Sequence, residues 1–168
     1  PVALGLTMTI RFLPVLLFAL YGGILADRLP KRTTIIVAQS IQMLIALAMA
    51  VLTSTGAITV LLIYVLAGLR GTVDAIEGPT RQAFVPEMVG TRDVPNAVAL
   101  NSTLFNAARV AGPAIGAAII STLGIAACFY LNAFSFLAVL AALFAMRPGE
   151  LHAADEARPD GASSALRD

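Results

Sequence analysis

Four charged side chains recur along one apolar segment at a spacing that places them on a single face of a helix. They are Arg70, Asp74, Glu77 and Arg81, at positions i, i+4, i+7 and i+11. Arg70 with Asp74, and Glu77 with Arg81, stand at separations that favour ion pairs. Two interpretations stay open. The charges are neutralised pairs that let the helix enter a membrane, or Asp74 takes up and releases a proton.

A second polar stripe contains Ser102, Asn106 and Arg109, again on one helical face. A charge at the centre of a membrane helix costs roughly 2.5 to 3.5 kcal/mol, so Arg109 should pair or reach water. It is predicted to be a partner of Asp74, a partner of an anionic substrate, or a side chain that extends to the interface. Asn106 and Arg109 are therefore candidate cavity residues. Arg11, in the outer half of its helix, is expected to extend to the interface.

The composition indicates that a membrane surrounds these charges. The chain is 58% hydrophobic and 12% charged, whereas soluble domains carry about 25% charged residues. No charged residue occurs from 33 to 69 or from 110 to 146. Each stretch is nearly twice the length of about 20 residues that one membrane helix needs, and each contains a short polar turn.

The sequence therefore predicts an all-α, polytopic membrane protein with one transmembrane domain over residues 1 to 147. Its five helices are expected at about 4 to 26, 33 to 53, 57 to 80, 97 to 120 and 124 to 146. A bend is expected near Gly78 and Pro79. A polar tail follows over 148 to 168, too poor in apolar residues to fold alone.

Basic residues fall on one side of this arrangement, which predicts its orientation. The loops at 54 to 56 and 121 to 123 hold no Lys or Arg. The basic residues of the other loops and the tail are Arg28, Lys31, Arg32, Arg81, Arg92, Arg147, Arg158 and Arg167. Because cytoplasmic loops retain basic residues, these loops and the tail are expected in the cytoplasm, with the N-terminal end outside.

Several classes of site are not expected. Cys128 is the one cysteine and His152 the one histidine, so neither a disulfide nor a metal site is predicted. The net charge of +1 is not gathered on a patch that would bind nucleic acid. With no histidine in a predicted helix and no phosphate-binding loop, an enzyme is not expected. No secretory signal peptide is predicted either.

The connection after the first helix carries a recognisable motif. Gly23, Asp27, Arg28, Lys31 and Arg32 stand in the order G-x-L-A-D-R-x-x-K-R, which resembles the signature loop of the major facilitator superfamily. Pro30 occupies a position where that family usually has glycine. The resemblance implies that this loop stabilises one access state of a transporter by latching to its other half. In the functional interpretation of the charged face, Glu77 and Arg81 work with Asp27 as a cytoplasmic gate. A simple positively charged cytoplasmic turn is the alternative.

A second motif lies in the fourth helix, where Gly112, Pro113 and Gly116 fit the pattern of family members that export by antiport. Ala108 and Ala117 replace the outer glycines of that pattern. Ala108, Gly112 and Gly116 form a stripe of small residues that allows close helix contact in lipid. Helix packing and a role in antiport both stay open for it.

Together the motifs imply that these helices correspond to helices two to six of a twelve-helix carrier, a partial N-terminal six-helix bundle. The chain is similar to the branch that contains the enterobactin exporter and related drug exporters. The resemblance implies a proton-coupled exporter in a bacterial inner membrane, with a proton gradient and no cofactor. Its partners would be lipid, a small drug- or siderophore-like substrate and the remaining helices. A membrane scaffold without transport activity is the alternative.

Overall fold

A computed structural model gives the structure of residues 2–147, with side chains described except at positions 2, 4 and 19–28. The predicted tail over 148 to 168 lies outside the described residues. Five α-helices and one 3-10 helix (Thr91–Asp93) make up the described part, which contains no strand. The α-helices are α1 (Val2–Arg28), α2 (Lys31–Ser54), α3 (Val60–Val89), α4 (Val94–Leu123) and α5 (Ile125–Ala145). The predicted all-α class is confirmed.

α3 is the helix whose bounds differ most from the prediction. It was expected over about 57 to 80 and instead spans Val60–Val89, through both Pro79 and Pro86. Proline removes one backbone donor, but a helix persists beyond it where packing holds the next turns. Phe84, beyond Pro79, is almost completely buried against Ile35 of α2 and Leu143 of α5. This contact explains why the helix does not stop where the local sequence suggests.

The helix ends follow local sequence signals. The Thr59 hydroxyl accepts a hydrogen bond from the backbone amide of Leu62 and caps the start of α3. Gly90 and Gly124 end α3 and α4 with positive φ angles of 75° and 84°, which glycine adopts without strain. Each donates its amide to a carbonyl of the preceding turn, Gly90 to Pro86 and Gly124 to Ile120. Both turns are therefore sharp and locally specified.

The helices pack unequally. α1 lies mainly against α3, and α2 contacts both α3 and α5. α4 makes much weaker contacts with α3 and α5, and none of its residues is buried. The described bundle is therefore centred on the seam between α2 and α3.

Within residues 2–147, three segments are long and apolar enough to cross a membrane: Lys31–Ser54, Thr91–Leu123 and Ile125–Ala145. α1 contributes a shorter apolar stretch, Gly5–Phe18. α3 has the length, 30 residues, but carries its charges in the middle. In a membrane those charges must be covered by neighbouring helices or water.

Candidate functional site

The backbones of α1 and α3 touch at Gly71. A Cβ atom at this position would lie only 2.0 Å from the carbonyl oxygen of Arg11. One turn earlier, a Cβ at Gly68 would lie 3.3 Å from Cγ2 of Ile10. Glycine at 71 is thus what lets α1 approach closely enough for Arg11 to reach the charged face of α3.

Asp74 forms ion pairs with two arginines, one from α1 and one from α3. Its Oδ2 lies 3.4 Å from Nη2 of Arg11 and 3.9 Å from Nε of Arg70. The second distance fits an ion pair but is too long for a hydrogen bond. Its other oxygen, Oδ1, accepts a hydrogen bond of 3.1 Å from Nε2 of Gln42. Asp74 is partly buried, so it remains reachable from the space beside it.

Glu77 is held more firmly than Asp74. It is 6% exposed and pairs with Arg81 one turn further along α3. Gln39 Nε2 donates to Oε1 at 2.7 Å, and Gln42 Nε2 donates to Oε2 at 2.6 Å. Hydrogen bonds to a charged group are stronger than those between neutral groups. Glu77 therefore forms the fixed anchor of the charged face.

Gln39 and Gln42 were not predicted from the sequence. Both are buried on α2 and connect it to the acids of α3. Gln42 donates to Asp74 and to Glu77 through one amide nitrogen. A signal was available, because two glutamines at i and i+3 inside a long uncharged run share one helical face. Buried amides of this kind usually have a polar partner, and α3 supplies it.

The structure contains both ion pairs predicted for α3 but places Arg11 of α1 differently from the expectation. The pairs Arg70–Asp74 and Glu77–Arg81 are present, as the spacing predicts. Arg11, expected to extend to the interface, instead contacts Asp74.

The predicted cavity residues Asn106 and Arg109 are exposed on α4. Neither lines the cleft around Asp74, to which α4 contributes Phe105. Among the described residues, the cationic partners of Asp74 are therefore Arg11 and Arg70. The other two roles considered for Arg109 stay predictions.

A cleft of about 610 Å³ opens beside the acids. Its polar lining comes from α1, α2, α3 and α5, while Phe105, Phe136 and Val139 add apolar surface. The polar and charged lining residues are Arg11, Gln39, Gln42, Arg70, Asp74, Glu77, Arg81, Asn132 and Ser135. A space of this size, with convergent polar groups, is suited to a small ligand.

The described part of the signature loop makes two contacts across the bundle. Lys31 pairs with Glu87 near the end of α3, and both side chains are mostly buried. Arg32 donates from Nε to the carbonyl of Leu143 at 2.9 Å and from Nη2 to that of Phe144 at 3.3 Å. These carbonyls belong to the last turn of α5, where a cation is favourable.

The predicted roles of Gly23, Asp27 and Arg28 fall on positions whose side chains lie outside the described residues. Their assignment to a gate stays a prediction.

The small-residue motif of α4 faces outward in the described structure. A Cβ at Gly112 or Gly116 would meet no atom within 4 Å, and Pro113 is exposed. The one polar contact at this stripe is from Cys128 Sγ of α5 to the carbonyl of Gly116, at 3.7 Å. The role of the motif in packing or antiport stays a prediction. No cluster of His, Cys, Asp or Glu in the described residues has the composition of a metal site.

Comparison with known proteins assigns this arrangement to a family. A family model described as "Transmembrane secretion effector" matches residues 1–167. The staphyloferrin A transporter of Staphylococcus aureus (strain NCTC 8325 / PS 47) is 33% identical over 144 residues, covering 84% of this chain and 36% of that protein.

Two further relatives agree. The multidrug efflux pump Tap of Mycolicibacterium fortuitum is 30% identical, covering 80% of this chain and 34% of that pump. An uncharacterised transporter of the same superfamily from Bacillus subtilis (strain 168) is 26% identical, covering 86% and 33%.

The chain thus spans about a third of the length of these relatives. No solved structure matches it significantly. The family model covers almost the whole chain, and each of the three relatives is a transporter or an efflux pump, so the chain belongs to the major facilitator superfamily, among its transmembrane secretion effectors.

Proposed function

We propose that this chain forms the N-terminal part of a proton-coupled exporter of small drug- or siderophore-like molecules. One relative is a siderophore transporter and another a multidrug efflux pump, which supports this substrate range. The carrier would lie in the inner membrane of a bacterium. Its charged loops and tail would be cytoplasmic and its N-terminal end outside, as the basic residues indicate.

The observation that carries the proposal is the charged cleft beside α3. A carboxylate on a membrane helix, bordering a cavity and balanced by cations, is the arrangement expected of a proton-exchanging group. Of the two acids, Asp74 is the better candidate because it is less buried and has one hydrogen bond from an amide. Glu77, with Arg81 and two amides around it, would hold α2 against α3 and support the site.

The Asp74→Asn variant of the complete carrier tests this function. Asparagine keeps the size and one acceptor oxygen but cannot exchange a proton. We expect gradient-driven efflux of lipophilic dyes to fall by at least about tenfold, typical of the loss of a general acid–base group. Efflux from energised inverted vesicles, with and without a protonophore, measures it. Asp93→Asn, an exposed residue of the 3-10 helix, is the matched control.

The opposite result is informative. Full efflux by Asp74→Asn with normal insertion would reduce the charged face to a structural role. Efflux by the wild type that ignores the protonophore would remove proton coupling. A wild-type carrier that moves none of a panel of dyes and siderophores would favour the scaffold alternative.

A second prediction concerns the ion pair of Lys31 with Glu87, named here the α2–α3 latch. It lies inside this chain, unlike the contact with the other half of the carrier that the motif implies, and it holds the start of α2 to the end of α3. We expect Lys31→Glu alone to slow efflux several-fold, because it sets two like charges together. The double variant Lys31→Glu with Glu87→Lys restores the attraction, and we expect it to recover most of the rate.

Initial rates of dye efflux at equal expression measure this latch. A double variant as slow as Lys31→Glu would show that efflux depends on the residue at position 31 itself and not on its ion pair with residue 87. A Lys31→Glu variant at the wild-type rate would remove the latch from the mechanism.

A further inference from the structure

The cluster around Asp74 has one cation too many. Arg11 and Arg70 both approach Oδ2 of Asp74, so two guanidinium groups share one carboxylate oxygen. Glu77 is occupied by Arg81 and by the amides of Gln39 and Gln42. The pair Arg11–Arg70 therefore keeps an unbalanced positive charge among the described residues.

The hydrogen-bond donors of this pair are also in excess. Nε of Arg11 and Nε of Arg70 are both buried and have no acceptor among the described residues. A buried donor without an acceptor costs free energy, and a charged one costs more. A second anion would supply acceptors for these two Nε donors.

Two cavities meet at these arginines. The 610 Å³ cleft and a second cavity of about 270 Å³ are both lined by Arg11, Arg70 and Asn132. Most of the remaining lining of the second cavity is apolar: Ile45, Ala46, Met49, Ile63, Leu66, Ala67 and Phe129, with Thr7. Cationic donors at the rim of an apolar space suit a ligand with an anionic end and an apolar body.

We propose that Arg11 and Arg70 bind the carboxylate of a small amphipathic anion whose apolar part fills the 270 Å³ cavity. Guanidinium groups are well suited to this, since their planar N–H donors match a carboxylate. The inference rests on the proposed function in that the cleft must open to a ligand during transport. It identifies a ligand class, and it does not require the proton gradient to be the energy source.

Asp74 and the bound carboxylate compete for the same two cations. The other groups that line the cleft with Asp74 are mostly neutral. They are the amides of Gln39, Gln42 and Asn132, the Ser135 hydroxyl and Phe105. The remaining charged groups are the paired Glu77 and Arg81 of α3. A ligand carboxylate must therefore share Arg11 and Arg70 with Asp74 or displace it from them. Removing the charge of Asp74 should strengthen the binding of an amphipathic carboxylate.

Equilibrium dialysis of the purified complete carrier with 1-naphthoate tests this, with neutral 1-naphthamide as the matched ligand. We expect naphthoate to bind more tightly than naphthamide, because only naphthoate carries the negative charge that the two guanidinium groups can bind. Arg11→Gln and Arg70→Gln should each weaken naphthoate binding by about tenfold or more. They should leave naphthamide binding unchanged. Arg92→Gln, at an exposed position of the 3-10 helix, should bind both ligands as the wild type does.

Asp74→Asn separates this inference from the proposed transport mechanism. Loss of the competing carboxylate should make naphthoate bind more tightly than it does to the wild type, even where efflux is lost. This variant also carries the test if the arginine variants do not fold. Equal affinity of the wild type for naphthoate and naphthamide, or weaker naphthoate binding in Asp74→Asn than in the wild type, would overturn the inference.

Discussion

Replacing Gly71 by alanine should be the most damaging single methyl addition in the described bundle. The new Cβ would lie 2.0 Å from the Arg11 carbonyl oxygen, and the atoms it meets belong to the backbone. Relief requires α1 to move away from α3 by about 1 Å, which would also draw Arg11 from Asp74. Overpacking of a close contact typically costs 1 to 3 kcal/mol, and a backbone clash should lie at or above about 3 kcal/mol.

Thermal unfolding of the protein in detergent, followed by aggregation or by circular dichroism, measures the effect. Gly78→Ala is the matched control, since it lies on the same helix and its Cβ would meet nothing within 4 Å. Alanine there should be neutral or should stabilise the helix by up to about 1 kcal/mol. If both alanine variants unfold at the wild-type temperature, the close approach of α1 and α3 is wrong.

Removing the Glu77 carboxylate should have the next largest effect on stability. Glu77→Leu leaves Arg81 without its counter-ion and the amide donors of Gln39 and Gln42 without an acceptor. Breaking a buried pair by deleting one partner typically costs 3 to 5 kcal/mol. The Arg81 side chain is 54% exposed and keeps access to solvent, so we expect a loss near the lower end, about 3 kcal/mol.

Two comparisons make the Glu77 result specific. Glu77→Gln keeps a carbonyl acceptor and should cost about 1 kcal/mol less than the leucine variant. A double-mutant cycle of Glu77→Gln with Arg81→Gln gives the coupling energy of the pair. Equal stability of wild type and Glu77→Leu would mean that water replaces the carboxylate at no cost, and Glu77 would not be an anchor.

The sequence alone predicts most of the fold because the apolar runs are long and the turns between them are marked. Gly90 and Gly124 end helices at positive φ, and two charge pairs of α3 lie one turn apart as the spacing requires. Local signals failed where a contact between distant residues overrides them. Phe84 holds α3 helical beyond Pro79 through its burial against α2 and α5, and no local pattern contains that information.

The acids of the candidate site were predictable from the sequence, but their partners were not, because those depend on contacts between distant residues. Asp74 and Glu77 are evident as acids in an apolar helix, but their partners depend on which helices are neighbours. Arg11 reaches Asp74 because α1 packs on α3 at Gly71, and Gln42 reaches it because α2 packs on the other side. A single sequence does not fix helix neighbours, so the choice among Arg11, Arg70 and Arg109 needed the structure.

The short connection between α1 and α2 has a mechanical consequence. Only Leu29 and Pro30 separate the two helices, and the φ angle of Pro30 is fixed by its ring. Directly after it, Lys31 is tied to α3 and Arg32 to the last turn of α5. A displacement of α1 would therefore be passed on to the ends of three other helices. We expect α1, α2, α3 and α5 to move together as one rigid body. Any relative movement among the described helices should then occur between this body and α4.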